Sequence, residues 1–195
     1  MKNIRSLCVY CGSSKNPKPY YVKAAADLGH LLAESDIKLV FGGGRVGLMG
    51  VVSDACMEKG GQVLGVMTDF LNEFEGGHTE ITDLRIVSSM HERKMIMFDE
   101  SDAFVILPGG LGTLDEAFEV LTWKQVGMHG KPIIFVDVER YWSGLFETFL
   151  NHMIENGFVR AEDKKLFTLV DSVDGVLQAV YDSPEANKDF VSKWG

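Results

Sequence analysis

The sequence predicts a single-domain α/β fold, a Rossmann-like doubly wound parallel sheet with helices on both faces. Short apolar runs alternate with longer helical patterns, and the runs are apolar at nearly every position, as strands covered on both sides are. Glycine clusters stand where two of these runs give way to helices.

Strand-like runs occupy residues 6–10, 38–41, 62–67, 84–87, 103–107 and 132–136. The first leads to a helix over 20–34, where Ala24, Leu28 and Leu32 recur at helical spacing. The second runs through Gly42-Gly43-Gly44 into a helix over 47–59. After the third comes the longest loop, 69–83, whose Gly76-Gly77-His78 fits a movable or partner-contacting segment. The fourth, fifth and sixth feed helices over 90–100, 112–126 and 141–156, and a last helical pattern covers 173–181. In such folds ligands sit beyond the carboxyl ends of the strands, so loops starting at Cys11, Gly42, Thr68, Ser88, Pro108 and Asp137 frame the site.

The whole chain, 1–195, is expected to be one domain, since 195 residues that are 46% hydrophobic can bury a full core. A net charge of −9, from 19 basic and 28 acidic residues, argues against nucleic acid as a partner. An anionic substrate then needs a local positive site. No apolar run approaches a membrane span, and Met1-Lys2-Asn3-Ile4-Arg5 leads into the first strand without a signal pattern, so a cytoplasmic location is expected. Cys8 and Cys11 form a C-x-x-C, but three positions apart in or beside a strand they point to opposite faces. Cys56 and the scattered histidines add no zinc spacing. Structural thiols, no metal and no cofactor are expected.

The run Pro108-Gly109-Gly110-Leu111-Gly112-Thr113-Leu114-Asp115-Glu116 is the most informative segment. Its glycines permit a tight turn that exposes N–H groups, and the following helix N-terminus favours an anion such as phosphate. Glu116, about one turn into the helix, can face whatever the phosphate carries. The pattern points to chemistry on a phosphorylated sugar.

A rival signal is Gly42, Gly44 and Gly47, which satisfy G-x-G-x-x-G, with Asp69 near the end of the next strand. A dinucleotide-dependent oxidoreductase would use it. Yet it follows the second strand rather than the first, and it leaves Thr113 and Glu116 unexplained. Contact with a ligand and close packing of strand on helix are equally good readings of these glycines. In Met90-His91-Glu92-Arg93-Lys94, two cations near a helix start oppose the helix dipole, so a ligand or Glu116 would compensate them, unless they form a solvated basic patch. Met90 falls at the crevice edge, as core filler or against a base.

Cys11-Gly12-Ser13-Ser14, Gly42-Gly43-Gly44 with Gly47-Leu48-Met49-Gly50, Met90-His91 with Arg93-Lys94, the 108–116 run, and Thr122-Trp123 with Gln125 and Gly127 together resemble the LOG (Lonely Guy) family. The likeness extends in order to the region of Phe158. It implies a homodimer that cleaves the N-glycosidic bond of an adenine-type (cytokinin riboside) nucleoside 5′-monophosphate, giving free base and ribose 5-phosphate. It also implies that Arg93 and Glu116 carry catalysis. Substrate would be bound by Met90, Arg93, Lys94, Gly109, Gly110, Leu111, Gly112, Thr113, Glu116 and Thr122. Two departures stand out. Where plant-like relatives carry Thr-Gly-Glu, with a Glu that touches substrate, this chain reads Gly77-His78-Thr79-Glu80, and position 115 is Asp where Glu is often found. Relatives have also been labelled lysine decarboxylases, but no lysine here is set in an evident pyridoxal-binding frame.

Ribosyl hydrolysis passes through an oxocarbenium-like state, which a carboxylate beside the anomeric carbon stabilises while orienting or deprotonating water. Glu116 suits that role, and its place near a helix start and a basic residue is expected to favour its ionised form. Arg93 would hold it. No second carboxylate is evidently placed to protonate the departing base. Thr122 to His129, rich in large residues, could anchor a dimer or pack internally. A non-catalytic nucleotide carrier remains the other alternative.

Overall fold

A computed structural model describes residues 3–184; Met1 and Lys2, and residues 185–195 of the expected domain, lie outside the described residues. Strands β1 (Ser6–Tyr10), β2 (Lys38–Phe41), β3 (Val63–Thr68), β4 (Asp83–Val87), β5 (Ala103–Ile106), β6 (Ile133–Val136) and β7 (Thr168–Val170) form one sheet in the order β4-β3-β2-β1-β5-β6-β7. Every pairing is parallel. The order reverses between β1 and β5, and there the loops on either side part to leave a crevice.

Helices α1 (Pro19–Glu34), α2 (Leu48–Glu58), α3 (Asp69–Glu75), α4 (Met90–Asp99), α5 (Leu111–Gln125), α6 (Ser143–Leu145), α7 (Asn151–Glu155) and α8 (Val176–Asp182) complete the described elements with several tighter or wider turns. The period-two alternation of a strand sorts β1 between two cores. Leu7 and Val9 join Leu28 of α1, Val52 of α2 and Val176 of α8, whereas Cys8 and Tyr10 join Met97 of α4 and Val120 of α5. Cys11 belongs to the first core and Cys8 to the second, as their spacing implied.

Three stretches differ from expectation. Residues 69–83 are not a loop throughout: Thr68 Oγ1 accepts from Leu71 N at 3.3 Å and starts α3. A seven-residue helix is too short to display periodicity, although its N-cap threonine was visible. β7 was missed because three residues at a sheet edge carry little pattern. The continuous helix over 141–156 is instead α6, a π-helical turn Phe146–Leu150 and α7. Before it, Glu139 and Arg140 take left-handed backbone (φ 54° and 56°), which turns the chain sharply and leaves Tyr141 outside the helix. No helix among the described residues is long and apolar enough to cross a membrane.

Candidate active site

The crevice holds a cleft of about 630 Å³. The loop after β1 contributes Gly12 to Ser14, α3 contributes Leu71 and Glu75, and α4 contributes Met90 and Arg93. The loop after β5 and the start of α5 supply Pro108 to Thr113, Asp115 and Glu116. The two central loops are tied together, with Gly12 N donating to Pro108 O at 3.0 Å. Gly109 is needed there because a side chain would strike Thr113.

Gly110 caps α5 without any side-chain hydrogen bond to the first turn. The first N–H groups of a helix have no intrahelical acceptor, so this end presents donors and a partial positive charge to the cleft. Thr113 and Glu116, three apart on one helical face, are both buried.

At the cleft floor Arg93 Nη1 donates to Glu116 Oε1 at 2.7 Å. Arg93 Nε donates to Val66 O at 2.9 Å, so the guanidinium is anchored to β3 while it holds the carboxylate of α5. Arg93 is 5% exposed and Glu116 9%. Burial pushes the Glu116 carboxyl above its ordinary range, while the charge and hydrogen bond of Arg93 pull it down. The upward direction corrects the expectation that the helix start and a neighbouring cation would favour ionisation. Desolvation is the largest influence, and sequence spacing does not reveal it.

Gly42 explains the second glycine cluster. A side chain there would land on the Arg93 guanidinium, and Gly42, Gly43 and Gly44 do not line the cleft. The close-packing reading therefore holds, and the dinucleotide motif has no seat in this cleft. The start of α4 is capped by Ser89, which accepts from Glu92 N at 3.2 Å. The anion expected opposite Arg93 is Glu116. Lys94 is met by Asp115 at 3.2 Å and Glu119 at 3.1 Å.

Of the residues expected at the site, Met90, Arg93, Gly109, Gly110, Leu111, Gly112, Thr113 and Glu116 line the cleft together. Lys94 and Thr122 do not. Thr122 donates to Phe118 O at 2.7 Å and borders a separate, mostly apolar groove beside Phe149 and Phe167. Glu80 lies 3.9 Å from Arg45 outside the cleft, and Glu75 is the acid of α3 that lines it. Sequence reasoning missed Pro17, Tyr21, Leu71, Glu75 and Tyr141. Only the position of Asp137 among the edge loops hinted at Tyr141. Arg93 is the sole cationic side chain lining the cleft among the described residues.

A family model described as possible lysine decarboxylase matches residues 49–180. LOG2 of Arabidopsis thaliana, a cytokinin riboside 5′-monophosphate phosphoribohydrolase, is 40% identical over 189 residues, covering 97% of this chain and 88% of its own. The chain belongs to the LOG family. Another member, LOG7 of the same plant, is 45% identical over 155 residues, 80% of this chain and 71% of that protein. In fold, this LOG-family chain is similar to the molybdenum cofactor carrier protein of Chlamydomonas reinhardtii (TM-score 0.70, 19% identity, 92% and 97% of the two chains). The molybdenum cofactor binding protein of Rippkaea orientalis is similar too (TM-score 0.69, 20% identity, 93% and 98%). These two likenesses concern the fold alone.

Proposed function

We propose that this LOG-family chain hydrolyses the N-glycosidic bond of adenine-type nucleoside 5′-monophosphates, releasing free base and ribose 5-phosphate. The observation that carries this reading is the buried Arg93–Glu116 pair, set beside an uncapped helix start in one cleft. The phosphate sits against the N–H groups of Gly110 to Thr113, because the one cation of the cleft wall among the described residues is already engaged by Glu116. Anchoring the phosphate brings the anomeric carbon to the Glu116 carboxylate, and binding energy of the remote group is spent on positioning. As the bond from ribose to base breaks, the carboxylate stabilises the developing positive charge and draws a proton from water. Hydroxide is delivered to the sugar, and the proton that Glu116 took from water passes through solvent to the departing base nitrogen, which restores the carboxylate. A carboxylate whose pKa burial has raised is the stronger base for that step. Arg93 opposes that upward shift and keeps the carboxylate aimed.

The relatives' printed names support this substrate class. The cleft wall contains no lysine among the described residues, so a lysine-based Schiff base has no candidate there. A homodimer located in the cytoplasm, without nucleic acid or membrane as partner, is the assembly we expect. Trp123 itself packs edge-on to Phe98 at 5.1 Å, but Met128 and Phe149 lie exposed near the end of α5 and the apolar groove. Light scattering showing a monomer at micromolar concentration would remove the dimer. The decisive experiment is incubation with AMP and with isopentenyladenosine monophosphate, followed by chromatography for free base. Tight binding without base release would instead make the protein a nucleotide carrier.

A further inference from the structure

The phosphate seat depends on a peptide unit flanked by two glycines. The bond between Gly109 and Gly110 carries the Gly109 carbonyl on one side and the Gly110 N–H on the other, and in a planar trans peptide these point in opposite directions. A glycine on each side makes rotation of this whole unit inexpensive, since neither residue has a Cβ to oppose it. Gly110 has open space where a side chain would go, so packing does not restrain it either. Rotation by half a turn would replace a donor in the anion seat with a carbonyl oxygen.

One side chain opposes that rotation. The hydroxyl of Tyr141 donates to Gly109 O at 2.7 Å. Tyr141 arrives from the loop after β6 and lines the cleft, and contacts around it fix the turn that carries it. Asp137 Oδ1 accepts from Trp142 N at 2.6 Å and Ser143 N at 2.9 Å, which fixes the turn that follows the left-handed pair Glu139 and Arg140. Trp142 is buried against Phe135, and the Tyr141 ring meets Tyr21 edge-on at 5.5 Å.

We infer that Tyr141 is a positioning residue that holds the Gly109–Gly110 peptide with its N–H turned toward the phosphate of the substrate. It acts through the loop. The inference rests on the nucleotide reading above for its substrate, but its central test uses inorganic phosphate.

The test is Tyr141→Phe, which keeps the ring contacts and removes the donor. Inorganic phosphate is titrated by calorimetry into wild type and variant, and KM and kcat are measured on AMP. Loss of one hydrogen bond predicts phosphate affinity weakened about five- to tenfold, KM raised by the same factor, and kcat and melting temperature little changed. A second variant, Gly110→Ala, restricts the peptide by itself, so Tyr141→Phe placed on Gly110→Ala should lose about twofold or less. Equal phosphate affinity in wild type and Tyr141→Phe overturns the inference. So does a fall in kcat with phosphate affinity retained, or an undiminished effect of Tyr141→Phe in the Gly110→Ala background. Should the wild type bind phosphate and hydrolyse no nucleotide, the hydrolase reading fails while the phosphate titration still decides the role of Tyr141.

Discussion

Gly42 and Arg93 share one volume: the guanidinium that holds Glu116 occupies the place where a side chain at position 42 would begin. The glycine just after β2 thus supports the Arg93–Glu116 pair to which we assign the chemistry. Gly42→Ala is expected to push the guanidinium off Glu116 and overpack the site, costing about 1–3 kcal/mol of stability. Base release should fall roughly 10- to 100-fold with phosphate affinity retained. Urea unfolding, turnover and phosphate titration together check this.

Removing the charge of Glu116 while keeping its shape, as Glu116→Gln, is expected to lower kcat by about 10²- to 10⁴-fold and leave AMP binding within a few fold. Turnover at the wild-type rate would exclude the carboxylate from the chemistry.

The acid side of the rate profile follows from the same group. Burial raises the folded-state pKa of Glu116 above its ordinary 4.5, so the active ionised form is lost, as pH falls, earlier than for an exposed glutamate. The folded state also holds this proton more tightly than the unfolded one. Its contribution to stability is therefore fully present below 4.5 and is lost as pH rises through the folded value. Arg93→Met removes the opposing cation, and the acid limb of kcat should move to still higher pH. An unmoved limb would assign that limb to another group.

Lys94 lies outside the cleft wall, but its partner Asp115 lies on it. Lys94→Gln is expected to raise KM for AMP severalfold, because the freed Asp115 carboxylate repels the phosphate. The effect should shrink at high salt. Lys94→Gln combined with Asp115→Asn should regain most of the loss. A loss that persists in the double variant would mean that Lys94 meets the substrate directly.

His129 Nε2 lies 2.8 Å from Val120 O, and its Nδ1 accepts from Lys131 N at 3.1 Å, so a neutral ring is the form that satisfies both. Burial lowers its pKa from 6.5 to about 4. The stability it contributes is complete above 6.5 and is lost as pH falls toward 4, where the unfolded chain alone has taken up the proton. His129→Gln should flatten the decline of unfolding free energy across that window, and an unaltered slope would contradict the assignment.

The alternation of elements, the glycine loop before α5 and the residues Arg93 and Glu116 that line the cleft with it were legible in the amino-acid order. Periodicity, glycine conformational freedom and helix-end electrostatics act over a few residues and leave a local trace. The pairing of Arg93 with Glu116 was expected, but nothing local announced that it would be buried, that Gly42 would make room for a guanidinium, or that Tyr141 would reach across to Gly109. Nor did it show that Glu75 rather than Glu80 would face the cleft. These contacts, and the desolvation that raises the Glu116 pKa, were decided by the strand order and by how the helices dock on the sheet. Both depend on packing among segments far apart in the chain.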